Sequence, residues 1–245
     1  MRLSDYSVLT FDCYGTLIDW ETGIHAALQP LLQEVAPQQS GKTLTRDEVL
    51  EIYARHEADQ QSRTPGMLYR DLLAVVHWRL GLEFGVAMPD AAHLRFGASV
   101  GDWPAFEDSV ESLQYLKRHF QLVVLSNVDK ASFARSNKRL EVAFDAVYTA
   151  EDIGSYKPDP ANFRYMLDRL GERGVAPGSI LHTAQSLFHD HGPARQMGLA
   201  SAWIDRRHGQ GGWGATMPPP DDSLYDVRFT SLAEMVTAHR AEQGA

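Results

Sequence analysis

Residues 6–19 read YSVLTFDCYGTLID, and this stretch predicts a buried strand that runs directly into a turn. Its first part is mostly apolar and rich in aromatic and β-branched side chains, which favours a strand, and Gly15 marks the turn that follows. Asp12 therefore lies at the carboxyl end of a strand. Aspartate is common in turns and helix caps, so the meaning of Asp12 depends on what surrounds it.

The rest of the chain separates into a helical part and an alternating part. Through residues 22–96, apolar residues recur at helical spacing, in stripes such as Leu28, Leu31 and Leu32, and no strand is needed. After Trp103 and Pro104 the pattern changes. It predicts helices at 106–116, 162–170 and 189–197 and after residue 229, and strands at 122–125, 144–148, 180–183, 202–204 and 227–229.

Strands that alternate with helices imply right-handed crossovers and a parallel sheet covered on both faces. Such sheets carry their chemistry at the carboxyl ends of the strands, which is where Asp12 lies. We therefore predict a doubly wound, Rossmann-like α/β core formed by residues 1–16 and 97–245. An all-helical cap domain, residues 17–96, is inserted just after the first strand.

The net charge and the cysteine content limit which kinds of molecule this protein can bind. The 245 residues carry a formal charge of −9, which disfavours nucleic acid and anionic lipid, and no run of Lys and Arg offsets it. The single cysteine, Cys13, excludes an internal disulfide and a multi-cysteine metal site. No apolar stretch approaches the length of a membrane helix, and residues 1–11 are too short and polar for a signal peptide. We expect a cytoplasmic protein with a small-molecule substrate, and a homodimer stays open.

The segment 11–19, FDCYGTLID, resembles the nucleophile loop of the haloacid dehalogenase superfamily. In that family the first aspartate attacks the substrate, the glycine permits the tight turn and the threonine hydroxyl bonds the reacting groups. The resemblance assigns these roles to Asp12, Gly15 and Thr16. Cys13 neighbours the nucleophile but is expected to be buried apolar filling, because adjacent strand residues point to opposite sides.

Tyr14 decides between branches of the superfamily. Phosphatases and mutases place a second aspartate there, which protonates the leaving oxygen. A leaving halide needs no proton, and Asp-Xaa-Tyr-Gly-Thr resembles the L-2-haloacid dehalogenases, in which Tyr14 would belong to the substrate site. The alternative is that Tyr14 is a plain core aromatic, which still leaves the phosphatase acid missing.

Two later segments resemble the second and third motifs of the family. Residues 122–127 read LVVLSN, which puts Ser126 and Asn127 at the end of a strand. By resemblance, Ser126 bonds the substrate carboxylate or the nucleophile, and Asn127 helps to hold the departing halide. Residues 156–160, YKPDP, supply Lys157, which would keep Asp12 ionised, although an isolated lysine is ordinarily a solvated surface residue. Phe163 stands where these dehalogenases usually have a tyrosine, so one substrate hydroxyl is missing.

The fourth region, residues 180–194, departs most from the family pattern. Phosphatases have a run of acidic residues here that binds magnesium, whereas this chain has only Asp190. Dehalogenases show Ser-Xaa-Asn-Xaa-Xaa-Asp and work without metal. Counting back from Asp190 puts Gln185 at the serine position, unless an insertion gives Ser186 that role. By resemblance, Asp190 orients or deprotonates the water that hydrolyses the ester.

Three histidines, His182, His189 and His191, invite a metal hypothesis. His189 and His191 are two residues apart, so they do not share a helical face, and no cysteine joins them. We therefore predict no metal site and no cofactor, and we expect these histidines to pack in the core or line the substrate site.

The helical insertion contributes a further motif. Tyr53, Ala54 and Arg55 resemble the cap segment whose arginine binds the halide and the substrate carboxylate. Arg55 is our choice, with Arg63 and Arg70 as rivals.

These resemblances, in their expected order along nearly the whole chain, predict a metal-independent hydrolase of short 2-haloacids that forms a covalent ester on Asp12. The alternatives in the same fold are a magnesium-dependent phosphatase and a hydrolase that opens a strained ring at a carbon–nitrogen bond. A non-catalytic binding protein on the same scaffold is the alternative from another class.

Overall fold

The structure, a computed structural model, describes residues 1–35, 44–221 and 224–244. Its centre is a six-stranded parallel sheet in the order β3-β2-β1-β4-β5-β6. The strands are β1 Val8–Phe11, β2 Gln121–Ser126, β3 Ala146–Thr149, β4 Ile180–Ala184, β5 Ala200–Ile204 and β6 Val227–Phe229. The strand order reverses between β1 and β4, and in such sheets this reversal is where ligands bind.

The central strand β1 is buried on both faces. Val8 packs in a cluster with β2, β4 and the helices α8 Pro160–Gly171 and α9 Gly192–Gln196. Leu9 and Phe11 belong to the cluster on the opposite face, with α5 Ser109–Lys117 and α10 Leu232–Glu242. Because successive strand side chains point to opposite faces, a continuous apolar run suits a strand covered by helices on both sides. The predicted doubly wound α/β core is confirmed.

Between β1 and β2 the chain forms the helical insertion. Its helices are α1 Trp20–Val35, α2 Arg46–Arg63, α3 Tyr69–Phe84 and α4 Asp90–Ala98. A capping box closes the start of α2: the Thr45 hydroxyl accepts from the backbone N–H of Glu48, whose side chain accepts from the N–H of Thr45. The predicted helical insertion is confirmed, while the boundaries 17–96 stay a prediction.

The two connections between insertion and core run side by side. The N–H of Asp19 donates to the carbonyl of Pro104 at 2.8 Å, and the N–H of Phe106 donates to the carbonyl of Leu17 at 3.1 Å. The insertion therefore leaves the core next to the nucleophile loop and returns there.

Three segments differ from the sequence-based expectation. The helices α6 Lys130–Leu140 and α7 Ala150–Ile153 were not predicted. The buried stripe of α6 consists of Phe133, Leu140 and two serines, so it contains too few large apolar residues to be recognised as a helix face from the sequence. The helix predicted at 189–197 divides into a π-helical turn, Leu187–His191, and the short α9. Among the described residues, no helix is both long and apolar enough to cross a membrane.

Candidate active site

Asp12 lies directly beyond β1, at the point where the strand order reverses. Its backbone N–H donates to the carbonyl of Thr183 on β4, which extends the strand pairing to the nucleophile position. The chain then turns, with the N–H groups of Leu17 and Ile18 both donating to the carbonyl of Cys13. Gly15 adopts a φ of +93°, and a Cβ there would lie 2.9 Å from the indole nitrogen of Trp20. The turn therefore requires glycine for both backbone conformation and space.

Thr16 holds one oxygen of the Asp12 carboxylate. Its Oγ1 donates to Oδ2 of Asp12 at 2.8 Å and accepts from the backbone N–H of Gln185 at 2.9 Å. Because the amide occupies the acceptor side of the hydroxyl, the single hydroxyl proton points at the carboxylate. This hydrogen bond fixes the orientation of the Asp12 carboxylate, and the part in the reaction that the family resemblance gives Thr16 stays a prediction.

Lys157 holds the other oxygen of Asp12. Its Nζ donates to Oδ1 of Asp12 at 2.9 Å, to Oδ1 of Asp190 at 2.6 Å and to the carbonyl of Leu125 at 2.9 Å. The side chain is 1% exposed, so all three donors of the ammonium are used inside the protein. The structure thus brings Asp12, Lys157 and Asp190 together, and the cation between the two carboxylates is the lysine.

Asn127 positions the backbone of Lys157. Its Nδ2 donates to the carbonyl of Lys157 at 2.9 Å, and its Oδ1 accepts from the N–H of Lys157 at 2.7 Å. The side chain also lines the cavity above Asp12. Its neighbour Ser126 is buried in the same cavity wall, and the Ser126 Oγ has no hydrogen-bond partner among the described residues. Ser126 is therefore free to bond a substrate, whereas the amide of Asn127 is already engaged.

A buried chain of hydrogen bonds supports Asp190. The Nε2 of His182 lies 3.0 Å from Oδ1 of Asp190, and the Nδ1 lies 2.8 Å from Oγ1 of Thr10 on β1. With Asp190 ionised, Nε2 carries the proton and Nδ1 accepts from the threonine. Oδ2 of Asp190 is buried and has no partner among the described residues.

The three charged groups change one another's ionisation. Burial raises the pKa of Asp12, and Asp190 adds to the rise, while Lys157 opposes it. Burial alone would lower the pKa of Lys157, but the two carboxylates more than offset this and raise it. Burial would likewise raise the pKa of Asp190, yet Lys157 and His182 hold it well below the usual range. The site therefore keeps an ammonium at neutral pH, and that charge favours ionised carboxylates.

Tyr14 contributes its ring to the cavity and its hydroxyl to the core. The ring lines the cavity and packs edge-on against Trp103, with centroids 5.7 Å apart. The hydroxyl bonds to Oγ of Ser136 at 2.8 Å, and burial raises its pKa well above the usual value. The hydroxyl is thus engaged with Ser136, while the ring faces the cavity, so a substrate contact of Tyr14 through its ring stays a prediction.

The predicted cap arginine, Arg55, lies outside the cavity. Its side chain is 56% exposed and pairs with Glu83 of α3 at 3.0 Å. Arg63 is also exposed and pairs with Asp59, and Arg70 is exposed beside Asp71. Arg55 is exposed because of the way α2 is rotated about its axis. The buried face of α2 contains Tyr53 and Glu57, and Arg55, which lies between them in the sequence, points to the opposite side of the helix.

The cap instead presents residues that the sequence analysis did not single out. Glu57 and Gln61 of α2 and Tyr69 of α3 line the cavity, together with Trp20 at the start of α1. Burial raises the pKa of Glu57 to about 7. A possible sequence indicator was the polar stripe of Glu57, Gln60 and Gln61 in phase with Tyr53, but polar residues at that spacing ordinarily predict a solvated face.

The fourth region closes the remaining side of the cavity. Ser186 lines it, and the Ser186 Oγ accepts from the backbone N–H of His189 and bonds to Oγ1 of Thr216 at 2.9 Å. His189 also lines the cavity, its Nδ1 lies 3.1 Å from the same serine oxygen, and its Nε2 has no partner among the described residues. Burial lowers the pKa of His189 to about 4, so the ring is neutral at pH 7. Gln185 contributes its backbone to Thr16, and its side chain faces a neighbouring pocket.

Other candidates have structural roles. Both ring nitrogens of His191 are bonded, to Ser201 and to the carbonyl of Ala184, each at 2.9 Å. Phe163 is buried with its ring edge-on to His182, and Cys13 is part of the core. Among the described residues, no three histidine, cysteine, aspartate or glutamate side chains are arranged to hold a metal ion.

Comparison with known proteins identifies the family of this chain. A family model for haloacid dehalogenase-like hydrolases matches residues 6–182, so the chain belongs to that family. The (S)-2-haloacid dehalogenase 4A of Burkholderia cepacia is 26% identical over 201 residues, which cover 80% of this chain and 82% of the relative. This sequence similarity supports the L-2-haloacid dehalogenase branch.

Two solved structures show the same fold. The L-2-haloacid dehalogenase PA0810 aligns with a TM-score of 0.75 at 23% identity, covering 98% of this chain and all of the other. The L-2-haloacid dehalogenase of Xanthobacter autotrophicus, solved with chloropropionic acid covalently bound, aligns with a TM-score of 0.71 at 16% identity, covering 96% of this chain and 98% of the other.

Proposed function

We propose that this chain hydrolyses the carbon–halogen bond of short 2-haloacids through a covalent ester on Asp12. The observation that carries the proposal is the Asp12 carboxylate, held by Thr16 on one oxygen and by Lys157 on the other at the end of β1. The residue two positions later is Tyr14, whose hydroxyl is bonded to Ser136, so no acid stands there for an oxygen leaving group. The haloacid dehalogenase relatives support the same substrate class.

In the first step, an Asp12 oxygen attacks the α-carbon of the substrate from the side opposite the halogen. A carbon–oxygen bond forms, the carbon–halogen bond breaks, and the halide leaves with the bonding electron pair, so no proton is required. Burial leaves the attacking carboxylate poorly hydrated, and Thr16 and Lys157 fix its orientation. Ser126 supplies a free hydroxyl for the substrate carboxylate.

In the second step, water attacks the carbonyl carbon of the Asp12 ester, and the bond from that carbon to the product oxygen breaks. One proton of the attacking water ends on the departing oxygen, which gives the 2-hydroxyacid, and the other is released to solvent, which restores the Asp12 carboxylate. Asp190 orients this water through Oδ2, the oxygen that Lys157 and His182 leave free. A carboxylate with so low a pKa accepts a hydrogen bond well but is a weak base, so we assign it orientation in preference to full deprotonation.

A single turnover in H₂¹⁸O, with enzyme in excess over 2-chloropropionate, tests the nucleophile. A nucleophilic carboxylate gives its own oxygen to the product, so the label enters the Asp12 side chain and the first-turnover product stays unlabelled. Asp12→Asn abolishes halide release, and Asp190→Asn accumulates the ester as added mass on the peptide that contains Asp12. Label found directly in the first-turnover product and never in Asp12 refutes the covalent mechanism. Absence of halide release from any 2-haloacid refutes the substrate class.

A further inference from the structure

A buried carboxyl group faces the reaction centre from the cap. Glu57 of α2 is 2% exposed and lines the cavity that also contains Asp12 and Lys157. The hydroxyls of Tyr53 and Tyr69 both donate to the same oxygen, Oε1, at 3.2 and 2.5 Å. Among the described residues, none makes a hydrogen bond to the other oxygen, Oε2. Oε2 is therefore the oxygen available to a ligand.

The cavity has no free cation for an anionic substrate among the described residues that line it. All three donors of Lys157 are used on the core side, and His189 is neutral at pH 7. No arginine lines the cavity. Arg55 and Arg63 are paired with Glu83 and Asp59 at the surface. A substrate carboxylate therefore has to be bound by neutral donors, or not at all.

We propose that Glu57 is the cap residue that recognises the substrate, as a neutral carboxylic acid that donates from Oε2 to the carboxylate of the bound 2-substituted acid. The proposed function supplies the substrate class on which this inference rests. With two phenols on Oε1, the proton of the acid resides on Oε2, which points the donor toward the ligand. An ionised Glu57 would instead place a negative charge beside that of the substrate carboxylate in a buried site, which is strongly unfavourable.

The surroundings of Glu57 determine when it is neutral. The facing groups are Tyr53 and Gln61 on its own helix, Tyr69 on α3, Tyr156 before α8, and Asp12, Lys157, His189 and Asp190 on the core side. None of them is a cation in contact with Glu57. Burial sets the pKa of free Glu57 at about 7, and a bound anion raises it further. Above pH 7, binding therefore takes up a proton, and affinity falls about tenfold for each pH unit.

Proton uptake on binding provides a test that needs no turnover. The intact protein is titrated calorimetrically with 2-hydroxypropionate, the expected product, in phosphate and in Tris at pH 6, 7 and 8. From a pKa of about 7, uptake is expected to rise from roughly 0.1 to 0.5 to 0.9 proton per ligand. Glu57→Gln keeps an N–H donor but cannot ionise, so its affinity is expected to be independent of pH, with no uptake.

Two further variants separate recognition from general structure. Glu83→Gln alters an acid of the same insertion that lies outside the cavity, and it keeps the wild-type pH dependence. Tyr69→Phe removes a hydrogen bond that lowers the pKa of Glu57, so the midpoint of the affinity profile shifts above pH 7. This shift tests the proposal even if Glu57→Gln fails to fold.

The outcomes distinguish this inference from the proposed function. Equal pH profiles for wild type and Glu57→Gln, or proton release on binding, overturn the role of Glu57 while leaving the Asp12 chemistry intact. Tighter binding of a cationic ligand at high pH shows that Glu57 acts as an anion, which also overturns it. If 2-hydroxypropionate does not bind, the site does not recognise small carboxylates in this way. Failure of halide release with proton-linked binding preserved counts against the proposed function alone.

Discussion

Replacing Lys157 by methionine removes one charge from the centre of the site while keeping most of the packing volume. Nζ of Lys157 bonds Asp12, Asp190 and the Leu125 carbonyl, so the change leaves two buried carboxylates without their shared cation. Breaking a buried ion pair from one side costs about 3–5 kcal/mol of folding free energy. Loss of a preorganised stabilising group lowers turnover by a factor on the order of 10²–10³. We expect both effects in Lys157→Met.

The pH dependence of the lost folding stability tests whether the missing ammonium of Lys157 is its cause. Without the ammonium, burial and Asp190 raise the pKa of Asp12 further, so the folded state holds a proton more tightly than the unfolded chain. The destabilisation should therefore be larger at pH 8 than at pH 5, because stability is lost as pH rises through the raised pKa.

Urea unfolding at both pH values and single-turnover halide release measure the two effects. Lys130→Met is the matched control, because Lys130 is 58% exposed and pairs with Asp152 at the surface. A variant Lys157→Met that unfolds like this control, and releases halide within tenfold of wild type, would refute the assigned role of the lysine.

Two other predictions concern the cap and the cation. Arg55→Ala should leave kcat/KM for 2-chloropropionate unchanged and keep the free energy of unfolding within about 1 kcal/mol of wild type, because the Arg55–Glu83 pair is exposed. A large rise in KM would show that the cap moves Arg55 into the site when substrate binds. Turnover should survive exhaustive dialysis against EDTA, since Lys157 supplies the cation between Asp12 and Asp190; activity lost in EDTA and restored by Mg²⁺ would favour the phosphatase alternative.

The core half of the site was predictable because each residue follows a strand that local sequence identifies. Asp12 and Ser126 lie at the ends of apolar runs, and parallel strands bring such ends to one edge. Lys157 and Asp190 follow by family resemblance, and in the structure Lys157 bonds both Asp12 and Asp190. The position of each of these residues depends on where a strand ends and on the short turn that follows it, and local sequence specifies both.

The cap half of the site was not predictable in the same way. The difference between Arg55 and Glu57 is two residues, or a little more than half a turn of α2. Because α2 buries Glu57, Gln60 and Gln61 beside Val49 and Tyr53, its apolar periodicity does not reveal which face meets the core. The packing of α2 against α1 and α3 decides it.

The hydrogen-bonded chain from Thr10 through His182, Asp190 and Lys157 to Asp12 divides the site into parts that tolerate change differently. Each member supplies the hydrogen bond or the opposite charge that its neighbour needs, so replacing one residue calls for a compensating replacement at its neighbour. Within the part of the chain that the structure describes, Glu57 hydrogen-bonds only Tyr53 and Tyr69 of the insertion and is not part of this chain of hydrogen bonds. New substrate preferences should therefore evolve, or be engineered, through the cap wall while the nucleophile and its partners stay constant.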